Sequence, residues 1–118
     1  MNILVIDDNA TFQQIIRLML QLAGHQVMIA SDGLTGLEKL RRDPHFFDLA
    51  IVDMVMPGTN GHQVVRKLRE DPELAHVKVL IMSARPQPFE SDDYITKPFD
   101  ADQLLAKVTT LMKKRGSH

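Results

Sequence analysis

The chain has 118 residues, 44% of them apolar and 25% charged, with 14 basic side chains against 15 acidic ones. That composition describes one ordinary globular domain with room for a single core, and its near-zero net charge without a long basic run speaks against a nucleic-acid surface. The lack of cysteine excludes a disulfide framework and a thiol nucleophile, and no apolar stretch approaches the roughly 20 residues of a membrane span. The first residues enter a strand at once instead of forming a signal segment, so residence in the cytoplasm, away from a membrane, is the expectation.

Ile3-Leu4-Val5-Ile6 is apolar throughout and closes on Asp7-Asp8. A strand apolar along its whole length is buried on both faces, as in a parallel sheet flanked by helices. Phe12, Ile15, Ile16, Met19 and Leu22 then recur at helical spacing, and Gly24 supplies the stop. Gln26 to Ala30 reads as a short strand and Ser31-Asp32-Gly33 as turn chemistry. Leu34, Leu37 and Leu40 mark a second helix that ends before Asp43-Pro44. Leu49 to Asp53 is a third strand; a loop over 57–61 leads into a helix carrying Val64, Val65 and Leu68. Val77 to Met82 forms a fourth strand and Asp93 to Thr96 a short fifth. Asp100 is placed to cap a last helix, whose inner face is Leu104, Leu105, Val108, Leu111 and Met112. The basic run Lys113-Lys114-Arg115 suits the carbonyl end of that helix. Residues 116–118 are set aside as a tail or linker, which leaves one domain over 1–115. Strand and helix alternate throughout, so the class is α/β with a parallel sheet.

One interval breaks the rhythm. Only eleven residues separate Met82 from Tyr94, and Pro86 and Pro88 forbid a regular helix before Phe89. A crossover must run back along a strand of ~17 Å, and an extended stretch of this length reaches ~36 Å. An irregular connection suffices, and the helix expected between the fourth and fifth strands is predicted to be missing or cut to a single turn.

Ligands of open parallel sheets gather outside the carboxyl ends of the strands. Asp7 and Asp8 close one strand and Asp53 another, so three carboxylates crowd one rim. Like charges that close repel unless a cation lies between them, which reads as a hard-cation site with one aspartate free for chemistry. Each residue also has a plainer use. Aspartates before a helix cap it, Asp53 could start a turn, Ser83 could be a small turn residue, and Lys97 an ordinary solvated lysine. His25, His45, His62, His76 and His118 are scattered without ligand spacing and read as surface residues. The seven methionines fall mostly on core positions, and no glycine-rich phosphate loop supports nucleotide binding.

Four segments stand in a telling order: Ile3-Leu4-Val5-Ile6-Asp7-Asp8-Asn9, Asp53-Met54-Val55-Met56-Pro57-Gly58-Thr59-Asn60-Gly61, Ser83-Ala84, and Asp92-Asp93-Tyr94-Ile95-Thr96-Lys97-Pro98-Phe99. Together they resemble the receiver domain of two-component response regulators along almost the whole chain. The resemblance implies a doubly wound, five-stranded parallel sheet of flavodoxin-like order 2-1-3-4-5 with helices on both faces. It implies that Asp53 is the phosphoacceptor, taking a phosphoryl group from a phosphohistidine of a sensor kinase or phosphotransfer protein. Asp8 and Asp53 would hold Mg²⁺ or Mn²⁺ directly, Asp7 through water, and the backbone carbonyl of Val55 would add an oxygen. Ser83 and Lys97 would hold phosphoryl oxygens, with Lys97-Pro98 cis. Tyr94 matches the switch aromatic that turns inward when Ser83 is engaged, and its plainer reading is a half-buried strand tyrosine. Val55 and Arg85, two residues beyond Asp53 and Ser83, are candidates for tuning the phosphoryl lifetime. The output partner is not named by any residue. The short Ser83-to-Lys97 interval departs from the family and removes part of its usual output surface.

Such a domain is a switch that catalyses only its own phosphorylation and dephosphorylation, rather than a turnover enzyme. Two rivals differ from it. A Mg²⁺-dependent phosphohydrolase of the haloacid dehalogenase type wants a carboxylate two residues after the nucleophile, where this chain has Val55. A degenerate receiver would act only as a binding module.

Overall fold

A computed structural model describes residues 1–56, 58, 60–85 and 93–113 of the chain. Five strands form one sheet: β1 (Asn2–Ile6), β2 (Gln26–Ala30), β3 (Leu49–Asp53), β4 (Lys78–Ser83) and β5 (Tyr94–Thr96). Among the described residues the connections carry α1 (Ala10–Leu22), α2 (Gly33–Arg42), α3 (Gly61–Glu70), a 3-10 turn (Pro72–Leu74) and, after β5, α4 (Ala101–Lys113). All strands are parallel, in the order β2-β1-β3-β4-β5. This is the expected doubly wound order. The shortened crossover expected between β4 and β5 falls mainly on residues 86–92, which lie outside the described residues, as does the tail after 113.

The period of two along each strand divides the core. Ile3, Val5, Leu49, Ile51, Leu80, Met82 and Ile95 face one way, against Ile16 and Leu20 of α1 and Leu104, Val108 and Leu111 of α4. Leu4, Ile6, Ala50, Val52, Val79 and Ile81 face the other, against Leu37 and Leu40 of α2 and Val64 and Leu68 of α3. The central strands are therefore apolar on both faces because both faces are covered. The edge strand β2 is not: Met28 is 41% exposed.

Helix ends follow local chemistry. Asn9 caps α1 and Asn60 caps α3, the latter in a reciprocal capping box with Gln63. Asp100 caps α4 as expected, its carboxylate accepting from Gln103 N–H at 2.8 Å while Gln103 Oε1 accepts from Asp100 N–H at 2.9 Å. Behind α1 the chain turns at Gly24, whose φ of +95° suits a residue without a Cβ.

The inner face of α1 differs from the apolar series in the sequence. Gln13, Ile16 and Leu20 are buried, whereas Ile15 is 44% and Leu22 79% exposed. At 3.6 residues per turn Leu22 lies about 120° round the cylinder from Ile16, so it cannot share that residue's contact with the sheet. Replacing Leu20 with Ala should cost about 2–5 kcal/mol in chemical denaturation. The same change at Leu18, which points to solvent, should stay within about 0.5 kcal/mol. Equal losses at the two positions would mean that the helix faces the sheet differently.

Candidate acidic site at the carboxyl rim

Because the strands are parallel, their last residues share one rim. Asp7 follows β1, Asp53 ends β3, Ser83 ends β4 and Lys97 follows β5. β1 and β3 are neighbours here, the point at which the strand order reverses and adjacent helices leave on opposite faces. The crevice at this reversal brings Asp7, Asp8 and Asp53 together: one carboxylate oxygen from each lies within 4.8 Å of the others. No other such cluster of three metal-ligating side chains occurs among the described residues.

Asp7 is fully buried and Asp8 exposed, and neither caps α1, since Asn9 does so. The capping reading of the aspartate pair is thereby replaced. Asp7 Oδ1 accepts from the backbone N–H of Asn9 at 2.8 Å. Its Oδ2 accepts from Lys97 Nζ at 3.3 Å, and the same ammonium donates to Asp53 Oδ1 at 3.2 Å. Lys97 is thus not a solvated surface lysine; its side chain is 23% exposed and lies between two carboxylates. The Lys97-Pro98 bond is cis, as expected.

Burial pushes the Asp53 carboxyl above the ordinary carboxylate range. Lys97, by charge and hydrogen bond, opposes that push; the charge of Asp7 adds to it, and the backbone N–H of Val55 pulls weakly down. Three carboxylates against one ammonium leave a net charge of two minus at the rim. All the donors are oxygen, which suits a hard divalent cation such as Mg²⁺ or Mn²⁺ better than a soft one.

The remaining expected residues lie around this centre. Ser83 Oγ donates to the Arg85 carbonyl at 2.8 Å and accepts from the Arg85 N–H at 3.2 Å, and Ser83 O accepts from Lys97 N–H at 2.6 Å. Tyr94 is half-buried, packed on the α2/α3 side of the core, with its ring 6.1 Å from that of His62. Val55 is 75% exposed, and Arg85 is exposed. Two histidines remote in sequence, His45 and His76, stack at 5.2 Å on the surface, so the histidines are less scattered than their spacing suggests.

Three residues matter here that the sequence reading passed over. Gln13 is buried, and its amide donates to the Asp7 carbonyl and, at 3.2 Å, to Ser31 Oγ. A polar residue on the buried stripe of a helix was the available signal. Gly61 opens α3 so close to β3 that a Cβ would lie 2.7 Å from the Asp53 carbonyl oxygen. Phe12 looked like core, but its ring underlies Lys97, with the ammonium 4.3 Å from the centroid.

A doubly wound sheet with an acidic cluster and an inward lysine on its carboxyl rim defines the class. Residues 3–109 match the response regulator receiver domain, and the chain belongs to that family. It is 35% identical to the DNA-binding dual master transcriptional regulator RpaA of Synechocystis, over 95% of this chain and 49% of that protein. It is 33% identical to Protein PilH of Pseudomonas aeruginosa, over 93% of this chain and 96% of that protein. Among solved structures, chemotaxis protein CheY4 of Vibrio cholerae superposes with a TM-score of 0.83 at 25% identity, covering 93% of this chain and 97% of that one. The chain spans about half the length of several of the curated relatives it matches.

A carboxyl group whose pKa is raised by folding binds its proton more tightly folded than unfolded, so its ionisation costs stability. Asp53 therefore weakens the metal-free fold as pH rises through the ordinary carboxylate value of 3.8 and past the raised one. With a chelator present, Asp53→Asn should raise the melting temperature at pH 7. That gain should shrink as the pH falls through the raised value toward 3.8, as the native carboxyl takes up its proton. A variant less stable than the parent at pH 7 would reverse the balance of burial and Lys97 described above.

Proposed function

We propose that the domain is a phosphorylation switch in which Asp53 accepts a phosphoryl group from a phosphohistidine of a sensor kinase or phosphotransfer protein. The observation that carries this reading is the single Lys97 ammonium in contact with Asp53 and Asp7 at the rim where Asp8 completes an acidic cluster. An oxygen of the Asp53 carboxylate attacks phosphorus, the phosphorus–nitrogen bond of the donor breaks, and the departing imidazole nitrogen takes a proton. The product is an acyl phosphate.

Asp7, Asp8 and Asp53, with the Val55 carbonyl, are the groups proposed to hold Mg²⁺ or Mn²⁺. When bound there, such an ion offsets the charge of the carboxylates and of the phosphoryl oxygens. Lys97 serves the same end from the protein side: tied to Asp53, it already lies where an added phosphoryl oxygen would need a cation. Ser83 would exchange its bond to the Arg85 carbonyl for one to a phosphoryl oxygen, which loosens the end of β4. Tyr94, in the neighbouring strand β5, is the residue proposed to respond to that exchange. Val55, apolar and exposed two residues beyond Asp53, and Arg85 at the β4 end are proposed to set how readily water reaches the acyl phosphate. Val55 also leaves no acid in the place where a phosphohydrolase would need one. The function is accordingly a switch and not turnover.

Incubation with a small phosphodonor and Mg²⁺, followed by intact-mass measurement, tests this directly. One added phosphoryl group is expected, absent in Asp53→Asn and in the presence of a chelator. Lys97→Ala should slow its addition by about 10²–10³-fold, the usual loss when a preorganised charge partner is removed. Rapid phosphate release with no phosphorylated protein detectable would make the protein an enzyme, and an unchanged mass without phosphate release a binding module; either result ends the switch reading.

A further inference from the structure

Lys97 has a third contact besides its two carboxylates, and that contact belongs to a closed circuit. Asp7 Oδ1 accepts from the Asn9 N–H at 2.8 Å. The Asn9 side chain, capping α1, accepts from the Phe12 N–H at 2.8 Å. The Phe12 ring lies beneath the Lys97 ammonium, 4.3 Å from its centroid. Lys97 Nζ then returns to Asp7 Oδ2 at 3.3 Å. A second aromatic steadies the ring: Phe99 meets Phe12 edge-on, with centroids 5.7 Å apart and planes at 70°.

From this circuit we infer that Phe12 is a positioning residue for Lys97, holding its ammonium over Asp53 by the electron-rich face of the ring. The inference rests on the reading of Asp53 as phosphoacceptor and adds to it a determinant on α1. The physics is simple. An ammonium on a four-carbon stem has many rotamers, and each contact it makes removes some of them. An aromatic face attracts the cation from another side, excludes water there, and leaves the N–H groups free for oxygen. An aliphatic residue of similar size would fill the space without attracting the charge. Phe12 is set on the first turn of α1 by the Asn9 cap, so the cap of α1 and the geometry of Lys97 form one unit.

The test uses the whole chain and two readouts. In proton NMR, the ε-methylene signals of Lys97 should be shifted upfield by the Phe12 ring current in the parent. The shift should vanish in Phe12→Leu and persist in Phe12→Tyr. With a small phosphodonor at saturating Mg²⁺, Phe12→Leu should slow phosphorylation about 3- to 10-fold, the range an ammonium–ring contact supports. Phe12→Tyr should recover most of that loss. In a Lys97→Ala background, Phe12→Leu should slow the reaction no further, because its effect runs through Lys97. A lysine signal unshifted in the parent overturns the inference, as does an equal slowing by Phe12→Leu with and without Lys97. If the parent gains no phosphoryl group, the phosphoacceptor reading fails, while the ring-current shift still decides whether Phe12 holds Lys97.

Discussion

Asp7 and Asp53 share one ammonium, and the charge balance of that trio governs the rim. A fully buried carboxylate is costly unless it is paired and hydrogen-bonded, and Asp7 is both, through Lys97 and the Asn9 N–H. Asp53 is less well served. Burial and the charge of Asp7 resist its ionisation more than Lys97 and Val55 favour it. With Asp8 added, the rim carries more negative charge than its own lysine can offset. That surplus favours an oxygen-seeking cation. A site so arranged suits a cation, at some cost to the fold without one.

The sheet makes this balance possible without help from local sequence. Lys97 is 90 residues from Asp7 and 44 from Asp53, yet it reaches both because all three stand at the same ends of parallel strands. Registers between the strands are fixed by burial on both faces, since slipping by one residue would exchange the two halves of the core. The polar rim is therefore held in place by the apolar strands that end in it. β5, only three residues long, is the shortest of these supports, and it places Lys97 through its last pairing, Thr96 beside Ser83.

Much of this was legible in the sequence because its signals are strong and local. Short runs such as Leu49-Ala50-Ile51-Val52, bounded by turn residues, read as strands covered on both faces, and the aspartates that end them mark the rim. The order of motifs supplied the strand order that periodicity alone could not. What remained hidden depends on distance in space. Phe12 and Gln13 sit on a helix whose apolar series includes Ile15 and Leu22, and sequence spacing could not tell which of these residues the sheet would cover. Gly61 looked like loop chemistry beside Asn60, whereas its need arises from the approach of α3 to the carbonyl of Asp53. The histidine pair His45 and His76 came together only through folding.

Those hidden contacts determine where the rim is stiff. On one face of the sheet, α1 grips the Asp7 backbone through the buried amide of Gln13. On the other, α3 grips the end of β3, with Gly61 N–H bonded to the Met54 carbonyl at 2.7 Å and no room for a Cβ between them. Close-packed interiors transmit displacement instead of absorbing it, so Asp53 has firm walls toward both helices. The end of β4 differs. There the buried Ser83 Oγ exchanges hydrogen bonds with the Arg85 backbone, and Ala84 and Arg85 are exposed. Bonds of that kind can be traded for equivalents at small net cost, whereas moving Gln13 or Gly61 would unpack buried atoms. Among the bonds described at this rim, those between Ser83 Oγ and the Arg85 backbone are therefore the most readily exchanged, beside the strand that carries Tyr94.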